Sequence, residues 1–264
     1  MFKNTISGYR CGILVAGGGA GSFVENIISS SGMSGLVVEG SCSNPSFSRN
    51  TISRCAEAGV LFTDGAGGKM HNNQIRENTM TGVVIRDRAN PVLEENQICF
   101  GSEIGVKIVD GGKGSLFRNQ IHNNAGGELV VSVHGDPEVV GNELSNSPAH
   151  GIAVHHSSKG FYKDNHIHHT ELSGLVITNN AEPHLEGNLI SDSKDAGIAA
   201  HSGAKGYLTQ NRIIRSTKAG VVIYSGETLL FSFLDLFSAV FLLLLADPSL
   251  FFWVTRRIPF LRIE

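Results

Sequence analysis

An all-β solenoid, in which a single strand of chain winds into a parallel β-helix of about ten 23-residue coils, is the fold predicted here, on three observations. The first is an Asn-x-Ile or Asn-x-Leu motif at Asn4, Asn26, Asn50, Asn73, Asn96, Asn119, Asn142, Asn165, Asn188 and Asn211, whose spacing becomes a constant 23. The second is a Gly nine residues after most of these Asn, followed by alternating apolar residues, as in Gly59-Val-Leu-Phe, Gly82-Val-Val-Ile and Gly174-Leu-Val-Ile. The third is a strict alternation five residues before each ladder Asn, where Pro45, Pro91, Pro137 and Pro183 interleave with Gly21, Gly68, Gly114, Gly160 and Gly206. A 23-residue period is too short for two packed helices and suits one turn of a coil stacked on its neighbours.

Three short strands per coil follow from period-two patterning. Phe23, Phe47, Met70, Leu93, Leu116, Val139, Leu185 and Leu208 form one inward column, and Ile52, Ile75, Ile98, Ile121, Ile167, Ile190 and Ile213 a second. Val60, Val83, Val106, Ile152, Leu175, Ile198 and Val221 open the third strand and also point inward. Glu128 departs from the pattern by occupying the Gly position, with Gly127 one place early. Strands about 4.8 Å apart make ten coils a rod about 48 Å long.

The ladder residues Asn26, Asn50, Asn73, Asn96, Asn119, Asn142, Asn165, Asn188 and Asn211 are expected to be structural. A corner Asn satisfies backbone groups that the bend leaves unpaired, and its amide pairs with the Asn above and below.

Composition narrows the function. The 264 residues carry 32 Gly, 41% hydrophobic and only 17% charged residues, which supports a packed core and disfavours long helices. A net charge of -3 supplies no basic field for a phosphate backbone, so nucleic acid is excluded as a partner. Cys11, Cys42, Cys55 and Cys99 show no CxxC pair, and MFKNTISGYR has no apolar signal core. Free thiols without a signal point to the cytoplasm or nucleus.

The repeats occupy residues 1–225, and 226–264 form an apolar tail. Residues 228–246 read TLLFSFLDLFSAVFLLLLA, near the length that spans a bilayer, with Asp235 inside the run and Arg256 and Arg257 after it. A helical membrane anchor, a cap on the solenoid, and sequence foreign to the repeats all fit this segment. Met1 falls inside a coil, so the chain reads as a piece of something longer.

Three constellations are candidates for chemistry. Asp64, Asp87 and Asp110 repeat one coil apart and could bind Ca2+ or act as acid and base, although Asp64-Gly65 and Asp110-Gly111 are also ordinary turn pairs and Asp87 lies between Arg86 and Arg88. His150, His155, His156, His166, His168, His169, His184 and His201 gather late in the chain. In the repeat frame they scatter over different columns, which predicts no metal centre. The outward middle position of the third strand holds Val37, Leu61, Val84, Val130, Ala153, Val176, Ala199 and Val222, interrupted by Lys107. An apolar stripe this long marks a surface covered by a partner, a ligand or another part of the same polypeptide, with a protein substrate or adaptor as the first expectation.

The alternation of Gly112-Lys113-Gly114-Ser115-Leu116-Phe117-Arg118-Asn119 coils with Asn90-Pro91-Val92-Leu93-Glu94-Glu95-Asn96 coils and Ala58-Gly59-Val60 strands resembles the right-handed parallel β-helix repeats of F-box only protein eleven and its relatives, over residues 1 to about 225. The resemblance implies a pectin-lyase-like fold and a non-enzymatic substrate receptor of an F-box type ubiquitin ligase, without cofactors, although this chain has no F-box. A polysaccharide-binding or polysaccharide-cleaving β-helix is the alternative, since the repeat is specific for fold rather than function.

Overall fold

A computed structural model describes residues 1–224, 228–232, 235–236, 243–245 and 261–262. The chain winds into coils of three short strands, and equivalent strands of successive coils stack into three sheets that are parallel throughout the repeats. The first sheet holds the strands before each ladder Asn (for example Lys69–His71), the second those after it (Gln74–Arg76), and the third those after the Gly (Val83–Ile85). Register is kept from coil to coil, with Ile52 beside Ile75, Ile98 and Ile121 in turn.

Three-residue strands explain the core. In the first two sheets only the middle residue points inward, whereas in the third the two end residues do and the middle one faces out. The inward columns from Phe47, Ile52 and Val60 onward are buried. The first column, broken in the sequence between Val139 and Leu185, is completed by Tyr162, which is fully buried and donates its hydroxyl to the Lys159 carbonyl at 3.1 Å. Burying each such side chain contributes about 1.5–3 kcal/mol before conformational entropy is subtracted.

Corners make the coil close. The residue just before a ladder Asn is left-handed even where it is not Gly, as at Asn72 (φ 56), Glu95 (φ 55) and Arg118 (φ 52). At the Pro and Gly corners, Gly206 has φ 139, and a Cβ there would sit 2.5 Å from the Pro183 carbonyl oxygen one coil back. Gly in one coil therefore lies against Pro of the other, which accounts for their alternation.

Each ladder Asn bonds in three directions. Asn119 Nδ2 donates to Asn142 Oδ1 (2.9 Å) and to the Leu93 carbonyl (2.9 Å), and the Asn119 backbone N–H donates to Asn142 Oδ1 (2.8 Å). The same side-chain and backbone pair of bonds to the next Asn recurs from Asn4 to Asn188.

The expectation of a helical tail is corrected where the structure describes it. Thr228–Ser232 is a strand that pairs in parallel with Lys205–Thr209 and continues the first sheet beyond residue 225. Within it Leu229 is fully buried and joins the core. Most of the remaining tail lies outside the described residues. Among those described, no helix is long and apolar enough to cross a membrane.

Candidate functional site

From Asp64 to His134 the third sheet ends each coil in a tight turn built from two consecutive left-handed residues. These are Asp64 (φ 54) and Gly65 (φ 72), Asp87 (φ 51) and Arg88 (φ 61), Asp110 (φ 52) and Gly111 (φ 68), and Val133 (φ 49) and His134 (φ 62). Asp, Asn and Gly tolerate this conformation, which is why acidic residues and Gly recur here. The turns stack through their backbones, with Gly65 N–H donating to the Asp87 carbonyl (2.8 Å) and Gly111 N–H to the Val133 carbonyl (2.9 Å).

Stacking these turns creates an open groove of about 820 Å³. Asp64, Asp87 and Asp110 line it together with Arg88, Val133 and His134, and Ser41 lies at one end. The acidic column anticipated from the repeat thus lies in one concavity, with one guanidinium and one imidazole added that the repeat did not single out. Asp87 Oδ2 accepts a hydrogen bond from Thr63 Oγ1 at 2.7 Å and is ion-paired with Arg86 Nε at 3.3 Å. Among the described residues no side-chain hydrogen bond or ion pair engages Asp64 or Asp110. The three carboxylates therefore differ: the central one is held, and its neighbours, about 4.8 Å away on either side by strand spacing, are free to turn.

Val133 is the anomaly of the groove. A β-branched residue in the left-handed region is a genuine outlier, costing about 1–2 kcal/mol, and its side chain is 40% exposed. Val133→Asn, which places there the residue type found two coils on at Asn179, is expected to stabilise the chain by about 1 kcal/mol in urea unfolding. Unchanged or lower stability would show that the Val side chain gains as much from its contacts as its backbone loses.

Beside the groove runs the outward line of the third sheet. Val37, Leu61, Val84, Lys107, Val130, Ala153, Val176, Ala199 and Val222 follow one another in direct register. Val37 to Val130 are half-buried, and Val176 and Val222 are buried, packing with Ala196, Ala199 and Ala219 into a small cluster of their own. Much of this stripe is thus covered by neighbouring residues of the same sheet.

The histidines are less scattered than the repeat frame predicts. His166 and His168 flank the inward Ile167 on one strand, so both point outward, and their rings lie 4.2 Å apart, with His169 a further 5.0 Å from His168. His168 Nε2 meets Glu143 Oε1 at 3.3 Å. Among the described residues no group of three or more His, Cys, Asp or Glu side chains could hold a metal ion.

The family model for the right-handed β-helix region matches residues 1–144 and 118–233. Among curated proteins none matches by sequence. Solved structures share the coil stack at low identity. The mannuronan C-5 epimerase AlgE6 A-module of Azotobacter vinelandii is 15% identical over 88% of this chain and 84% of its own, with a TM-score of 0.57. The periplasmic alginate epimerase AlgG is 15% identical over 81% of this chain and 61% of its own, TM-score 0.57. The catalytic unit of a thermostable GH87 α-1,3-glucanase from Streptomyces thermodiastaticus strain HF3-3 is 13% identical over 89% of this chain and 65% of its own, TM-score 0.52.

These likenesses correct the sequence-based expectation. The structures that share the fold are carbohydrate-modifying enzymes, and a kinship with F-box only protein eleven finds no support. The reading as a non-enzymatic ubiquitin-ligase receptor for a protein substrate or adaptor is withdrawn. Its residues misled because the coil motif encodes corners and core, which unrelated functions share.

Proposed function

We propose, from the premise that the chain belongs to the right-handed β-helix family, that it is a carbohydrate-active protein that seats a polysaccharide along the third-sheet turns and cleaves it by acid and base catalysis. The observation that carries this reading is the groove in which Asp64, Asp87 and Asp110 stand in consecutive coils beside Arg88 and His134. A groove open along the coil axis accepts a chain polymer without needing its ends. Its depth suits a row of hydroxyls hydrogen-bonding to carboxylates, a guanidinium and an imidazole.

Glycoside hydrolysis needs two carboxyl groups, one protonating the leaving oxygen and the other acting as nucleophile or activating water. Separations of about 5–5.5 Å accompany retention and about 6.5–9.5 Å inversion. Asp87 stands one coil from each neighbour, so its held carboxylate and that of Asp64 or Asp110 can serve as the pair, one as base or nucleophile and the other as proton donor. The fold likeness to a glucanase and to two alginate epimerases supports a carbohydrate substrate class for this groove.

The test is release of reducing ends from a panel of neutral and uronate polysaccharides, with binding followed by affinity electrophoresis. Wild type is expected to retard and cleave at least one of them. Asp87→Asn is expected to cut turnover by about a hundredfold or more, equivalent to about 2.7 kcal/mol of transition-state stabilisation, with unfolding unchanged. Full turnover in the Asp64→Asn, Asp87→Asn, Asp110→Asn triple variant would remove the groove from the chemistry.

A further inference from the structure

We infer that Glu128 is a proton-controlled latch inside the solenoid, closing the coil that forms one wall of the groove when protonated and loosening it when ionised. Every neighbouring coil has Gly at this place, from Gly59, Gly82 and Gly105 before it to Gly151, Gly174 and Gly197 after it. The reason is steric. A Cβ on Gly105 would fall 2.6 Å from Ile121 Cγ2 and 2.7 Å from the Glu128 carbonyl oxygen, and the other Gly of the column meet the γ2 methyl of an Ile in the same way.

Glu128 is nonetheless fully buried. The residue that would oppose its Cβ, sixteen places on, is Leu144, the single Leu in a column of Ile running from Ile28 to Ile213. Leu carries no branch at Cβ, so at the one coil that admits a Glu the methyl facing the Glu Cβ is moved away at unchanged side-chain volume. The carboxyl accepts from the Asn124 backbone N–H (3.2 Å) and from Asn124 Nδ2 (2.5 Å). Among the described residues no cation reaches it.

An ionised carboxyl in such a place has lost its water and gained only amide donors, and that combination favours the protonated form. Burial pushes the Glu128 carboxyl up to about 7, opposed in part by the two Asn124 bonds. The titratable groups of the adjoining coils are Cys99 on the preceding one, a buried thiol raised by burial, and His150 on the following one, whose imidazole is engaged with the Ser173 carbonyl at 3.2 Å. Neither supplies a positive charge to the carboxylate near neutrality, because burial also lowers the His150 value.

Ionisation has somewhere to go. Glu128 follows Gly126 and Gly127 (φ 110) and leads through the strand Leu129–Val131 into the strained Val133 and then His134 of the groove. Turning this corner outward to hydrate the carboxylate breaks the bonds from Gly105 N–H to the Gly127 carbonyl (2.9 Å) and from Val106 N–H to the Glu128 carbonyl (2.8 Å). Those amides report the event.

The sign is fixed by the raised value. The closed coil keeps its proton between the ordinary carboxyl value near 4.5 and about 7, where the opened coil has lost it, so opening becomes easier as pH rises through that window and levels off above it. Hydrogen exchange of Gly105, Val106 and Leu129, corrected for the intrinsic pH dependence of exchange, is expected to show an opening constant that rises by about sixtyfold between pH 5 and 7.5. Glu128→Gln and Glu128→Gly are expected to flatten the profile, the second by restoring the residue of every neighbouring coil. A flat wild-type profile would overturn the latch, and so would an equal rise at Ile52 and Ile198, which would mean that the whole rod responds. Should both variants fail to fold, the wild-type profile with these distant controls decides the matter.

Discussion

Asn119→Ala is expected to lower the stability of the chain by about 3 kcal/mol, as is loss of any other ladder Asn of the middle coils. The substitution deletes Oδ1, which accepts from both the backbone N–H and Nδ2 of Asn96 at 2.9 and 3.0 Å, and Nδ2, which serves Asn142 Oδ1 and the Leu93 carbonyl. At this fully buried site the Asn96 backbone N–H loses its acceptor and the Leu93 carbonyl loses the Nδ2 donor, while Asn96 Nδ2 keeps only the Met70 carbonyl and Asn142 Oδ1 keeps only the backbone N–H of residue 119. An unsatisfied buried group costs about 1–3 kcal/mol, and water entering the gap recovers part of the sum. Urea unfolding measures the loss, and the groove chemistry of surviving folded protein should be unchanged. Loss of turnover at full stability would assign Asn119 a chemical task.

Gly82→Ala is the second large effect, about 3 kcal/mol of destabilisation from a single methyl group. The added carbon would lie 2.6 Å from the Gly105 carbonyl oxygen and 2.6 Å from Ile98 Cγ2. The first atom is backbone held in the sheet, where Val83 N–H donates to that same carbonyl at 2.9 Å, so it yields little. The second belongs to a branch that Leu lacks. Ile98→Leu, nearly neutral or mildly destabilising by itself, is therefore expected to recover a third or more of the loss in the double variant. This is the arrangement found naturally at Glu128 and Leu144. Purely additive effects in the double-mutant cycle would show that the carbonyl alone excludes a side chain.

The fold was legible because its determinants repeat. The 23-residue spacing of the ladder Asn, the Gly column and the inward Ile column are each local requirements of a coil that stacks on its copy, so every coil restates them. Tyr162 escaped the inward column because a phenol does not read as a core residue until its hydroxyl is seen to reach the Lys159 carbonyl. Glu128 was visible as a break in the Gly column, but its compensation by Leu144 depends on which atoms face each other across a coil.

The site was legible only in part. The spacing of Asp64, Asp87 and Asp110 put them in one column, while the doubly left-handed turn that gathers them with Arg88 and His134 is a backbone property that Val133 and Arg88 give no reason to expect. The meeting of His166, His168 and His169 was missed for a related reason. Residues on either side of an inward one share a face of the strand His166–Thr170, and the left-handed backbone of His169 folds the third ring back. The functional class was misread because the coil motif was taken as a mark of the receptor in which it is familiar, although its residues serve corners and packing alone.

The central claim is that a polysaccharide lies along the turns of the third sheet. A crystal structure of the chain with an oligosaccharide from whichever polysaccharide it retards tests this most directly. Sugar rings are expected to run along the coil axis over Asp64, Asp87 and Asp110, with a glycosidic oxygen within hydrogen-bond reach of one carboxylate beside Asp87. Sugar bound on another face, with these three carboxylates in contact only with water, would contradict it.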